Sequence, residues 1–121
     1  MTNLKTVLTD YGADYESLMA RFMGNEPLYL RKLAMLPRDE SLQHLGKALH
    51  AGDYPSAFNA AHTLKGVALN LGLVPLEQAS CSIVEPLRRL EPRGDYPVLY
   101  QSIEKEFERA ADLLEQLKEV E

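Results

Sequence analysis

Ala60-Ala61-His62-Thr63-Leu64-Lys65-Gly66-Val67-Ala68-Leu69-Asn70-Leu71-Gly72-Leu73 lies in the middle of the chain and reads as one helix. Leu64, Ala68 and Leu71 follow the i, i+4, i+7 spacing of a stripe buried against neighbours. Ala57 and Ala61 carry that stripe one turn at a time toward the N-terminus. His62 and Lys65 are three residues apart, so they are neighbours on one helix face. With Gly66 they form a patch that the apolar stripe leaves pointing away from the core. An imidazole, a cation one turn along and a residue without a side chain beside them mark where chemistry is expected.

Working outward, the same periodicity recurs on both sides. Asp53 and Pro55 supply a cap and a first turn for the central helix, and Gly72 ends it. Upstream, Leu42, Leu45, Ala48 and Leu49 mark a helix that Asp39 or Ser41 opens and Gly52 closes. Pro37 should break the chain just before it, because an interior proline costs a helix roughly 3 kcal/mol. Further upstream, Asn25 and Pro27 open a segment carrying Leu28, Leu30, Leu33 and Leu36. Leu4, Val7, Leu8 and Tyr11 form a short helix that Gly12 ends. Asp14 then caps a second one carrying Tyr15, Leu18, Met19, Phe22 and Met23.

Downstream, a helix from about Pro75 should bury Leu76, Ala79, Ile83, Leu87 and Leu90, with Pro86 bending it. Glu91-Pro92-Arg93-Gly94 is a turn. Asp95 is placed to cap a long last helix whose stripe is Leu99, Ile103, Phe107, Ala110, Leu114 and Leu117. Its acidic final turns, from Glu115 to Glu121, should fray. No segment alternates as a strand does, and there is no internal repeat. The expected fold is all-α: an antiparallel four-helix bundle with two short N-terminal helices in front, forming one domain over residues 1–121.

Composition narrows the function. The chain has 121 residues, enough for one core, and 13 basic against 18 acidic residues give a net charge of −5. That balance argues against nucleic acid as a partner. The densest basic spot, Arg88-Arg89 with Arg93, reads as a solvated helix end. Cys81 is alone, so no internal disulfide forms and a reducing compartment is expected. No apolar run approaches the ~18 residues of a membrane span, and the N-terminus carries no secretion signal. A cytoplasmic protein is the plain expectation, and the initial Met with an intact first helix points to a free-standing one.

The residues around His62 suit phosphoryl chemistry. A neutral imidazole, whose ordinary pKa is about 6.5, offers a nucleophilic nitrogen to an acyl phosphate. The group in transfer spreads negative charge over its oxygens, so catalysis is mostly positioning and electrostatic stabilisation. Lys65 can supply the cation. Gly66 costs the helix about 1 kcal/mol relative to Ala, and clearance for an approaching partner is a reason to keep it. No carboxylate sits four residues after His62 to make it a general base, which favours a phosphoryl acceptor over a hydrolase.

His62-Thr63-Leu64-Lys65-Gly66, followed by Asn70-Leu71-Gly72-Leu73, resembles the signature of histidine phosphotransfer (HPt) domains, the helical modules of His-Asp phosphorelays. Gly52-Asp53, Ala60-Ala61 and the segment around Phe22 are similar to the family pattern too. The resemblance implies that His62 is the phosphorylated residue, Lys65 the cation facing the phosphate and Gly66 the residue that clears space. It implies response-regulator receiver domains or a hybrid sensor histidine kinase as partners, a monomeric carrier without kinase or hydrolase activity, and no cofactor of its own, Mg²⁺ being expected only on the receiver. It also implies an apolar docking patch, placed at Leu18, Met19, Phe22, Met23 and Leu69. Pro37 and Pro86 depart from the commonest family pattern.

Rival readings are weaker. His44 and His50 are six apart, do not share a face and read as surface residues. No Glu-x-x-His pair suggests a bundle metal centre. Cys81 has no activating neighbour and reads as packed at the interior or its margin. Asn70 and Gly72 read as helix-end residues. The alternative function is an adaptor bundle that is never phosphorylated and binds or inhibits a receiver or kinase. A buried His62 would favour it.

Overall fold

A computed structural model describes residues 4–120, with side chains described as far as residue 117. Seven α-helices follow one another: α1 (Leu4–Tyr11), α2 (Tyr15–Arg21), α3 (Glu26–Leu33), α4 (Ser41–Ala51), α5 (Tyr54–Asn70), α6 (Val74–Arg88) and α7 (Tyr96–Val120). There is no strand among the described residues. The four longest helices meet in cyclic order: α4 packs on α5, α5 on α6, α6 on α7, and α7 returns to α4. Leu45, Leu64, Leu76, Ile83, Leu87 and Ile103 are fully buried between them. The fraying expected of the last turns falls mostly outside the described side chains.

Helix starts follow local chemistry. The Asp14 carboxylate accepts from Ser17 N at 3.2 Å, Asn25 Oδ1 from Leu28 N at 3.0 Å, and the Asp53 carboxylate from Ser56 N at 3.2 Å. Each satisfies one backbone donor that a helix start leaves orphaned. Pro37 breaks the chain as expected, into a 3₁₀ turn over Leu36–Arg38. Asp39 then accepts from Ser41 N at 2.8 Å as α4 opens. The Asp95 carboxylate pairs with the Arg93 guanidinium, while the Asp95 carbonyl accepts from Leu99 N in the first turn of α7.

Three expectations are corrected. Three short helices, not two, precede the four long ones, because Pro37 separates α3 from α4. Leu90, expected in the buried stripe of α6, is 53% exposed. Helix α6 tolerates Pro86 in its final turn and stops at Arg88. Glu91 N closes back onto the Pro86 carbonyl at 3.0 Å, which forces Leu90 into the left-handed region at φ 55° and out of the core. Leu18 and Met19, placed on a docking patch, are 2% and 8% exposed and belong to the core.

Leu18 packs against the end of α5. The Gly72 backbone lies under Leu18, so close that a Cβ on Gly72 would sit 2.8 Å from Leu18 Cδ1. The Arg21 guanidinium donates to the carbonyls of Leu69 and Asn70, at 2.5 and 3.1 Å. Tyr29, fully buried, donates its hydroxyl to the Leu71 carbonyl at 2.8 Å. The last carbonyls of a helix lack intrahelical partners and carry the negative end of its dipole. Helices α2 and α3 therefore satisfy the C-terminus of the helix that carries His62, and fix it from outside the four-helix ring.

Candidate functional site

The site grows from the spacing along α5. Ala57, Ala60, Ala61, Leu64 and Ala68 face the interior, which turns His62 outward, and it is exposed. Lys65 and Gly66 follow on the same side, both partly exposed, and a Cβ built on Gly66 would meet nothing within 4 Å. The space above Gly66 is therefore open to an approaching molecule. Leu69, one further turn along, is 46% exposed. Among the described residues neither His62 nor Lys65 has an ion-pair partner. Among the described residues no carboxylate is paired with the imidazole.

The family model of the Hpt domain matches residues 38–120, more than half of the chain. The chain belongs to the Hpt domain family. It is thereby placed among the histidine phosphotransfer proteins of two-component phosphorelays. Comparison with curated proteins and with solved structures returned no match. The matched span takes in α4 to α7 and begins after α1, α2 and α3, of which α2 and α3 brace the end of α5.

Two residues near His62 in the Hpt chain were not legible as its neighbours in the sequence. The Phe58 ring lies edge-on to His62, with centroids 5.6 Å apart and planes at 75°. It is one turn before His62, a spacing that could have flagged it. The Arg88 guanidinium also sits over the Phe58 ring, 4.9 Å from its centroid, and its Nε lies 3.3 Å from Glu85 Oε1. The basic spot at the end of α6 is thus joined to the imidazole through one aromatic ring. Only the packing of α6 on α5 could show that.

The Hpt chain also carries a decoy. His44 and Lys47 repeat the three-residue spacing of His62 and Lys65, and His44 is exposed too. There the Glu40 carboxylate lies 3.5 Å from His44 Nε2, and the position matching Gly66 is Ala48, 8% exposed and packed in the core. The spacing is repeated without the clearance. Of the remaining docking candidates, Phe22 is half-buried against Tyr29, whereas Met23 is 88% exposed. Cys81 is partly buried with a free thiol. Among the described residues no three His, Cys, Asp or Glu side chains come together as metal ligands, and no helix is long and apolar enough to cross a membrane.

Proposed function

We propose that this protein is a phosphorelay intermediate in which His62 accepts a phosphoryl group from a receiver-domain aspartate and hands it to another receiver. The observation that carries this reading is the exposed His62 beside the open space above Gly66, with Lys65 on the same face and no carboxylate paired to the ring. In the transfer, an imidazole nitrogen attacks phosphorus. The N–P bond forms as the P–O bond to the aspartyl carboxylate breaks, and the carboxylate leaves with the electron pair. The return step reverses this on the second receiver. Lys65 faces the charge that spreads over the phosphoryl oxygens. Any Mg²⁺ is assigned to the receiver.

The same reading makes the protein a carrier with neither kinase nor hydrolase activity, acting as a monomer in the cytoplasm. Its four long helices form an antiparallel bundle, since consecutive ones pack together across short connections. The docking surface is proposed at the exposed Leu69 and Met23, together with half-buried Phe22.

Incubation with a phosphorylated receiver tests the proposal. His62 is expected to take up acid-labile, alkali-stable label, His62→Gln to take none, and His44→Gln to label as the wild type does. Equal labelling of His62→Gln would overturn the assignment and leave the unphosphorylated adaptor as the better reading.

A further inference from the structure

The ring of four long helices closes least tightly between α4 and α7. A cavity of about 400 Å³ opens at that seam, lined from α4, the start of α5, the α6–α7 turn and the start of α7. That volume falls within the roughly 300–1,000 Å³ of small-molecule sites. The cavity stands apart from the phosphoryl site. Tyr54, its contribution from α5, precedes His62 by eight residues, about 12 Å of helix axis.

Its walls are aromatic and held in place. The Tyr54 and Tyr96 rings meet edge to face, with centroids 5.5 Å apart and planes at 65°. The Tyr96 hydroxyl donates to the Glu91 carbonyl. Tyr100 crosses the seam and donates to the Leu42 carbonyl at 3.1 Å. It can do so because Gly46 lacks a side chain, since a Cβ there would lie 2.6 Å from the Tyr100 hydroxyl oxygen. Rings fixed in this way cost a ligand little ordering. Polar character enters from Arg93 and His50, and among the described residues no carboxylate lines the cavity. The Asp95 carboxylate takes the Nε and Nη2 edge of Arg93, at 2.9 and 2.5 Å. A guanidinium has five N–H donors, so the Nη1–Nη2 edge stays outside that pair. In a chain of net charge −5, a lining whose one permanent charge is a cation favours an anion.

We propose that this cavity is a second binding site, for a small aromatic carboxylate whose ring lies among Tyr54, Tyr96 and Tyr100 and whose carboxylate meets the Arg93 guanidinium. Aromatic rings gain from edge-to-face or offset contact beyond the area they bury, and the second edge of the guanidinium fork matches two carboxylate oxygens. The bound ligand touches α4, α5 and α7 together, and so ties the loosest seam of the bundle. The site does not depend on phosphorylation of His62.

Indole-3-acetate, indole and tryptamine carry one ring system with an anionic, a neutral and a cationic substituent pattern. The full, unphosphorylated chain is titrated with each and followed by NMR. Indole-3-acetate should bind tightest of the three, shift the resonances of Gly46, Tyr54, Gly94 and Tyr100, and leave those of His62 and Lys65 in place. Arg93→Gln should weaken indole-3-acetate about 3–10-fold and leave indole unchanged. Asp95→Asn, which releases the other edge of the guanidinium, should tighten indole-3-acetate, a gain that damage to the fold does not produce. Tryptamine binding as well as indole-3-acetate, or an affinity indifferent to Arg93→Gln, overturns the proposal. So do resonances at the cavity that none of the three moves. None of these results bears on His62 as a phosphoryl acceptor.

Discussion

Leu18 of α2 rests directly on the backbone of Gly72, where α5 turns toward α6, and a Cβ on Gly72 would lie 2.8 Å from its Cδ1. Gly72 also adopts φ 66°, with Leu73 N bonded to the Ala68 carbonyl at 2.9 Å. Two demands, a left-handed turn and a close approach, fall on one residue. Gly72→Ala should cost about 2 kcal/mol or more, from the turn conformation and the displaced Leu18 together. Because Leu18 and Arg21 brace the end of α5, the same substitution should increase amide exchange in α2 and at Leu69–Leu71. Denaturant unfolding and hydrogen exchange check the two parts. Unchanged exchange in α2 would mean that the brace is not mechanical.

Gly66 behaves oppositely. Its helix position is open, and nothing within 4 Å would meet a Cβ. Gly66→Ala should therefore raise stability, by up to about 1 kcal/mol from helix propensity. Phosphoryl transfer from a receiver should nevertheless slow. A more stable protein with a slower transfer rate separates clearance for a partner from any structural need. If transfer is unimpaired, the glycine is not there for a partner.

Two tyrosines give the fold an alkaline limit. Tyr11 is buried with no hydrogen-bond partner for its hydroxyl, and burial pushes its pKa from 10.0 up to about 12, against the opposing influence of Arg109. Burial raises Tyr29 in the same direction. Both groups are held neutral in the folded state. Their contribution is complete below pH 10 and is lost as pH rises through the raised folded values. Stability should fall from about pH 10 to 12, by an amount on the order of 2 kcal/mol for Tyr11. Tyr11→Phe should be near neutral at pH 7 and should flatten that decline. Tyr29→Phe should cost about 1–2 kcal/mol at pH 7, because the Leu71 carbonyl loses its donor. Denaturant midpoints measured across the pH range decide both.

Leu90 ends α6 in a conformation that L side chains adopt at a cost of about 1–2 kcal/mol. Its side chain is 53% exposed, so little burial offsets that cost. Leu90→Gly should stabilise the protein by about 0.5–1 kcal/mol, after allowing for the extra freedom glycine has in the unfolded chain. A raised thermal midpoint checks it, and a lowered one would show that Leu90 packs against something essential.

Much of the fold could be read from neighbours in the chain. Apolar spacing along α1, α4, α5 and α7, and caps at Asp14, Asn25 and Asp53, depend on contacts within one or two turns. The break at Pro37 is equally local. Leu90 was misplaced because the spacing continued past the residue where the helix stopped. A proline near the C-terminus let the chain close on itself first. Leu18 and Met19 were misplaced because amphipathic spacing shows that a face is apolar without showing what covers it.

The sequence by itself determined the site's own helix: the stripe that turns His62 outward, the cation one turn along and the glycine beside it all lie on one rigid element with fixed angular steps. It could not separate His62-x-x-Lys65 from His44-x-x-Lys47 by that spacing alone, since the two repeats differ in what packs around them. Tertiary structure decided that the position after Lys47, Ala48, is packed in the core while the matching Gly66 faces open space. It also decided that Arg88 and His62 contact the same Phe58 ring, and that Arg21 and Tyr29 satisfy the end of α5. The contacts of Arg88, Arg21 and Tyr29 join residues far apart in the chain, and contacts at that separation are set by how helices pack rather than by the periodicity within any one of them.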